Sequence, residues 1–108
     1  MAFTVLLTDS AARDLEEIHD YVARHDAPGR AEQLLGRLEK AFTALSESPQ
    51  RGAYPKELVA LGIRAYREVF FKPYRILYTV RDAEVYVLLI ADGRRDMQTL
   101  LQRRLLED

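Results

Sequence analysis

The spacing of apolar residues changes once along this chain, and that change limits the fold more than any single motif does. In residues 11–24, Leu15, Ile18 and Val22 recur at three- and four-residue steps with Glu16, Glu17 and Asp20 between them. That is the spacing of an amphipathic helix. After His25-Asp26-Ala27-Pro28-Gly29, a second face runs through Ala31, Leu34, Leu35, Leu38, Ala41, Phe42 and Leu45 and reaches about Ser46. Pro28 suits the first turn of that helix, where its missing amide costs nothing. Two such helices joined by so short a loop run antiparallel, so residues 9–47 are expected to form a helical hairpin. Ser48-Pro49-Gln50-Arg51-Gly52 closes it with turn chemistry. From about Ile63 the period becomes alternating, and β-prone runs follow at 63–71, 74–80 and 85–91. Their connections, Lys72-Pro73 and Arg81-Asp82-Ala83-Glu84, are short enough to force antiparallel pairing.

The two ends complete the pattern. Phe3-Thr4-Val5-Leu6-Leu7 reads as a strand, and Thr8-Asp9-Ser10 offers side chains to cap the first helix. Asp92-Gly93 breaks the last strand, and Asp96 is placed to cap a final helix that buries Met97, Leu100, Leu101 and Leu105 and exposes Arg103 and Arg104. In the middle strand Tyr74, Ile76, Tyr78 and Val80 share one face, and Arg75, Leu77 and Thr79 the other. The expected fold is a single α+β domain over residues 1–108. It has an N-terminal strand, an antiparallel helical hairpin packed on a mainly antiparallel four-stranded sheet, and a short C-terminal helix.

Composition narrows the chemistry. A chain of 108 residues that is 48% hydrophobic supports one ordinary core, with no repeat or linker to divide it. It has no cysteine and two histidines, His19 and His25, too few for a thiolate or His-based metal site, so neither metal nor organic cofactor is expected. Net charge is -1 and the isoelectric point near 6.1, which argues against direct, specific DNA binding. The charge is uneven. Residues 1–48 carry five Arg or Lys against nine Asp or Glu, whereas residues 49–108 carry eleven against eight. No apolar run approaches a membrane span and no basic leader precedes the first strand, so no membrane association and a cytoplasmic location are expected.

Residues as well as pattern then point to a family. The order of elements, Ser48-Pro49-Gln50-Arg51-Gly52 after the hairpin, Pro73-Tyr74-Arg75-Ile76-Leu77-Tyr78 in the sheet, and Gly93-Arg94-Arg95-Asp96 after the last strand together resemble the ParE/RelE toxin superfamily of type II toxin-antitoxin systems. The likeness runs over nearly the whole chain. It implies a toxin neutralised by a cognate antitoxin, ParD-like or Phd-like, whose extended C-terminal segment wraps it. RelE-like members are ribosome-dependent endoribonucleases with a basic sheet surface and a Tyr or His near the C-terminus, and ParE-like members inhibit DNA gyrase.

The resemblance also assigns candidate residues. Arg75 aligns with an arginine that contacts RNA phosphate in the ribonuclease branch, and Arg94 or Arg95 with a second one. A guanidinium fixed on a strand can stabilise charge growing on a phosphorane. The alternative for Arg75 is a salt bridge to Glu68 or Glu84, and for Arg94 and Arg95 an ion pair with Asp92 or Asp96. Arg64, Arg67, Lys72 and Tyr74 extend the surface expected to meet target or antitoxin. Cleavage by 2′-hydroxyl attack also needs a proton-transfer group. Beyond Gly93-Arg94-Arg95 the sequence has no Tyr, His or Lys. The ParE-like branch, a gyrase inhibitor rather than an enzyme, is therefore the expected reading. A RelE-like ribonuclease and a non-toxic, antitoxin-binding homologue are the rivals.

Overall fold

The computed structural model describes residues 2–106. The elements are β1 (Thr4–Leu7), α1 (Asp9–His25), α2 (Arg30–Thr43) with a 3-10 turn at Ala44–Ser46, α3 (Lys56–Val59), β2 (Arg67–Phe71), β3 (Tyr74–Arg81), β4 (Glu84–Asp92) and α4 (Met97–Leu106). The sheet order is β1-β4-β3-β2. β2, β3 and β4 pair antiparallel as the short connections require, and β1 lies parallel to β4 at one edge.

The caps follow from local chemistry. Thr8 accepts the Ala11 amide at 3.1 Å and starts α1, and Asp96 accepts the Thr99 amide at 3.2 Å at the start of α4. Pro28 lies just outside α2 instead of in its first turn. Gly29 takes the capping position with φ 87°, a left-handed conformation that glycine adopts without steric cost. β2 begins four residues later than its apolar run. The Gly62 amide bonds the Val59 carbonyl and the Ile63 amide the Leu58 carbonyl, so this stretch still belongs to the end of α3. α3 itself had no apolar period in the sequence to announce it.

Both faces of the sheet are covered. On one, Ile76, Tyr78, Val85, Val87 and Ile90 pack against Ala11, Leu38, Phe42 and Leu45 of the hairpin side. On the other, Leu77, Leu88, Leu89 and Ala91 pack against Leu58 of α3 and Met97 and Leu101 of α4. A bulge changes the phase of β4: Tyr78 pairs with Val87 and Leu77 with Leu89, leaving Leu88 as the extra residue. Leu88 and Leu89 therefore both serve the second core.

The bulge also marks where β1 ends. Beyond it, the outer edge of β4 has no strand neighbour among the described residues, and side chains satisfy its backbone. Asp14 of α1 accepts the Ile90 amide at 2.9 Å, and Arg104 of α4 donates to the Leu88 carbonyl at 2.7 Å. The two side chains also form a bidentate pair at 2.8 and 2.9 Å, which ties α4 to α1. Arg104 is thus largely buried, contrary to the exposed position its helical spacing suggested, whereas Arg103 is exposed.

The turn at 48–52 is fixed from beneath. The Tyr78 hydroxyl donates to the Pro49 carbonyl at 2.7 Å and accepts the Gly52 amide at 3.0 Å. A Cβ on Gly52 would stand 2.6 Å from that hydroxyl and 2.7 Å from the Glu68 carbonyl oxygen, so no larger residue fits. Tyr78→Phe, which strands the buried Gly52 amide and the part-buried Pro49 carbonyl, is expected to cost about 1–3 kcal/mol in chemical denaturation. Gly52→Ala is expected to lose a similar amount through overpacking, about 1–3 kcal/mol.

Candidate functional site

Arg75 projects from β3 away from the hairpin, as strand alternation predicts, but it does not reach solvent. Its residue exposure is 8%. Nε donates to Glu68 Oε1 at 2.7 Å, and Nη1 and Nη2 reach the two oxygens of Glu57 at 2.9 and 2.7 Å. Glu68 sits opposite Leu77 on the neighbouring strand β2, and Glu57 is carried by α3. Glu68 is the partner the sequence offered, whereas Glu84 instead accepts the Tyr86 hydroxyl. Gly93 lies over the stem of Arg75: a Cβ there would be 2.9 Å from Arg75 Cδ. The guanidinium is therefore held by carboxylates on two elements and covered by the turn after β4. Hydrogen bonds from Arg75 hold the Glu57 carboxyl below the usual carboxylate range, against the opposing effect of burial.

Arg94 and Arg95 follow the end of β4. Arg94 is exposed and forms an ion pair with Asp92, the structural pairing that the sequence offered as one alternative. That contact draws the Asp92 carboxyl down and raises Arg94. Arg95 is exposed. Both border a groove of about 390 Å³ that also contains Tyr74, Tyr21 and Glu17.

Arg67 is spent on the fold. It donates to the Gly52 carbonyl at 2.8 Å and to the Tyr54 hydroxyl at 3.1 Å, and its guanidinium lies 4.5 Å from the Tyr54 ring centroid. Arg64 borders a small neighbouring hollow of about 240 Å³. Lys72 and Tyr74 line a groove of about 510 Å³ between the loop end of the hairpin and the β2–β3 turn. Arg30 and Arg37 of α2 reach the same groove.

The seven residues singled out by sequence thus divide. Lys72, Tyr74, Arg94 and Arg95 border two adjoining grooves that share Tyr74. Arg64 and Arg67 stand at another hollow, and Arg75 is interior. Sequence reasoning missed Glu57, because a four-residue helix has no period to read. It also missed Arg30 and Arg37, although their spacing of seven places them on one stripe of α2. His19 bonds Glu32 at 2.9 Å across the hairpin, and His25 bonds the Tyr21 carbonyl at 2.8 Å. Among the described residues no group of three or more His, Asp or Glu could hold a metal ion, and no helix is long and apolar enough to cross a membrane.

Removing Arg75 leaves the buried carboxylate of Glu68 and the partly buried one of Glu57 without their shared cation. Arg75→Ala is expected to destabilise the fold by about 3–5 kcal/mol, read from urea unfolding. The pH dependence has a definite sign. A carboxyl whose folded pKa is depressed contributes stability that is complete above its ordinary 4.5 and is lost as pH falls through the lower folded value. Glu57→Gln should therefore be less stable than wild type at neutral pH, with the difference shrinking as the solution is acidified below that range. A constant difference across the acid limb would contradict the assignment.

The comparisons with known proteins agree with this architecture. The family described as ParE toxin of type II toxin-antitoxin system, parDE, matches residues 5–97. Toxin ParE3 of Caulobacter vibrioides is 28% identical over 100 residues, covering 93% of this chain and 96% of the relative. The chromosomal ParDE system of P. aeruginosa superposes with a TM-score of 0.71 at 21% identity, over 84% of this chain and 96% of that one. RelBE2 of Mycobacterium tuberculosis, a toxin-antitoxin complex, gives 0.62 at 22% identity over 85% and 99%. A free mutant of the E. coli toxin RelE gives 0.57 at 21% over 95% and 98%. With 93 contiguous positions accounted for by one family, arranged in the fold that these relatives share, the chain belongs to the ParE toxins of type II toxin-antitoxin systems.

Proposed function

We propose that this toxin acts by inhibiting DNA gyrase, without cleaving RNA, and that a cognate antitoxin silences it. The observation that carries the reading is the state of Arg75. A phosphate clamp needs guanidinium hydrogens turned toward the ligand, and here they are directed to Glu57 and Glu68 inside the protein. Drawing them outward would leave both carboxylates unpaired at a cost of several kcal/mol, about the worth of a buried pair. Arg94 keeps Asp92 as its counter-ion, which offsets its charge toward an anion. The segment after Gly93 supplies no Tyr, His or Lys for proton transfer, and the isoelectric point near 6.1 gives little of the phosphate neutralisation that ribosomal RNA binding uses.

Contacts with target and antitoxin then fall to the exposed members of the candidate set, Arg64, Lys72, Arg94 and Arg95, and to half-buried Tyr74, with Arg67 and Arg75 supporting the surface from below. An antitoxin partner, ParD-like or Phd-like, is supported by the complexes in which the ParDE and RelBE2 relatives are described. The outer edge of β2 offers an opening for strand addition. Ala53 already bonds both backbone groups of Glu68 on the outer edge of β2, while Phe70, two residues on along that edge, is 57% exposed.

The test uses purified toxin against two targets. Supercoiling by gyrase should fall with toxin concentration and recover when the product of the neighbouring reading frame is added, while messenger on translating ribosomes stays intact. Codon-positioned cuts, abolished by Arg94→Ala or Arg95→Ala, would overturn the reading in favour of a ribonuclease. Unchanged growth on expression without antitoxin would favour a non-toxic homologue.

A further inference from the structure

The hollow beside Arg64 and Arg67 lies at the far end of β3 from the Tyr74 grooves, where Thr79 and Val80 meet the start of β2. Its lining holds no Asp or Glu, whereas Asp26 borders the Lys72 groove and Glu17 and Asp92 the Arg94 groove. Arg67 is fixed there by neutral oxygens alone. Nη1 donates to the Gln50 and Gly52 carbonyls at 3.2 and 2.8 Å, and Nη2 to the Tyr54 hydroxyl at 3.1 Å. Those bonds orient the guanidinium and leave its charge uncompensated. Among the described residues the Arg67 Nε–H has no acceptor, nor has the hydrogen of the Tyr54 hydroxyl, and the Arg64 side chain has no partner. Burial raises the Tyr78 hydroxyl, which also lines the hollow, and the charges of Arg67 and Arg51 both pull it back, so Arg51 acts on the same space.

We propose that this hollow binds a dianionic phosphoryl group, either free phosphate or the end of a phosphate monoester. Three guanidiniums gathered without a carboxylate repel one another, and a ligand carrying close to two negative charges on several acceptor oxygens relieves that repulsion. Arg67 is the preorganised member, because its orientation is set before any ligand arrives. Its Nε–H, the Tyr54 hydroxyl and the exposed Arg64 are donors able to reach separate oxygens of one phosphoryl group. The volume of about 240 Å³ falls below the roughly 300–1,000 Å³ of sites that enclose larger organic ligands, which selects a small anion or the end of an ester. A nucleic-acid backbone is the disfavoured source, since each of its diesters carries one charge and here the cations surround one position. No histidine or carboxylate lines the hollow, so any change in binding near neutral pH belongs to the ligand.

The test is a titration of nitrogen-15-labelled toxin, followed through its amide and arginine Nε–H signals. The probes are inorganic phosphate, adenosine 5′-monophosphate, adenosine, and adenylyl-adenosine, whose phosphate is a diester. Both phosphate and the monophosphate should give saturable shifts at the Arg67 Nε–H and the Gly52 amide, with adenosine silent and the diester several-fold weaker. Affinity for the monophosphate should fall roughly fourfold between about pH 7.5 and 5.5, as its second charge, with a pKa of about 6, is lost. The double variant Arg51→Gln/Arg64→Gln changes exposed positions, and its amide spectrum away from the hollow will show that it keeps its fold. It should bind about tenfold more weakly. Equal affinity for the two phosphates assigns the hollow to the phosphoryl group alone, and tighter binding of the monophosphate adds a contact from sugar or base; either upholds the proposal. Absence of saturation, shifts centred on the Lys72 groove, undiminished binding in the double variant, indifference to pH, or equal binding of the diester or of adenosine would overturn it. Supercoiling enters none of these readouts, so the phosphoryl site and the gyrase reading fail separately.

Discussion

The arrangement of this molecule turns on one guanidinium and two carboxylates away from water. Arg75 lies between Glu68 on β2 and Glu57 on α3, and all three side chains are at most 13% exposed. A single buried charge would be prohibitively costly, and the attraction between opposite charges offsets that cost only where geometry is good and hydrogen bonds are complete. Here the geometry is bidentate to Glu57 and direct to Glu68. Among the described residues no buried side-chain nitrogen or oxygen lacks a partner. Because Glu57 belongs to a helix of only four residues, which cannot hold itself together in water, the ion pair fixes α3 against the sheet.

The rest of the second layer depends on that anchoring. α3 supplies Leu58 and α4 supplies Met97 and Leu101 to a core facing Leu77, Leu88 and Leu89. The outer end of α4 is held by Arg104, which with Asp14 also completes the backbone bonding of β4 beyond its bulge. The same few contacts tie together the segments that carried the family resemblance. Gly52 must be small because Tyr78 and Glu68 close over it, and Gly93 because the stem of Arg75 lies beneath it. Two of the segments, around Gly52 and Gly93, are therefore fitted to side chains of the third, the Tyr74–Tyr78 run. These signatures describe a scaffold, and their presence alone does not specify a reaction.

How much of this could be read from sequence depended on whether a residue's neighbours were local. The hairpin, the three long strands, the sharing of faces by Ile76 and Tyr78, and the Thr8 and Asp96 caps came from periods and adjacent residues, which repeat in every protein of this kind. Glu68 was within reach as a partner for Arg75 because it lies on the neighbouring strand. Glu57 and the Asp14–Arg104 pair were not, since 18 residues separate the first from Arg75 and 90 separate the second pair. Helical spacing placed Arg104 on an exposed stripe, and only the free edge of β4 explains why it turns inward. Of the candidate site, Lys72 and Tyr74 were found, but the α2 arginines beside them were hidden because a polar helix face usually just meets solvent.

The central claim is that Arg75 belongs to the interior, and the exchange of its own Nε proton measures this most directly. In a nitrogen-15 spectrum, the Arg75 Nε–H should exchange far more slowly with water than that of exposed Arg95, and its shift should not respond to an added RNA oligonucleotide. Exchange as fast as that of Arg95, or a shift that saturates with RNA, would contradict the account.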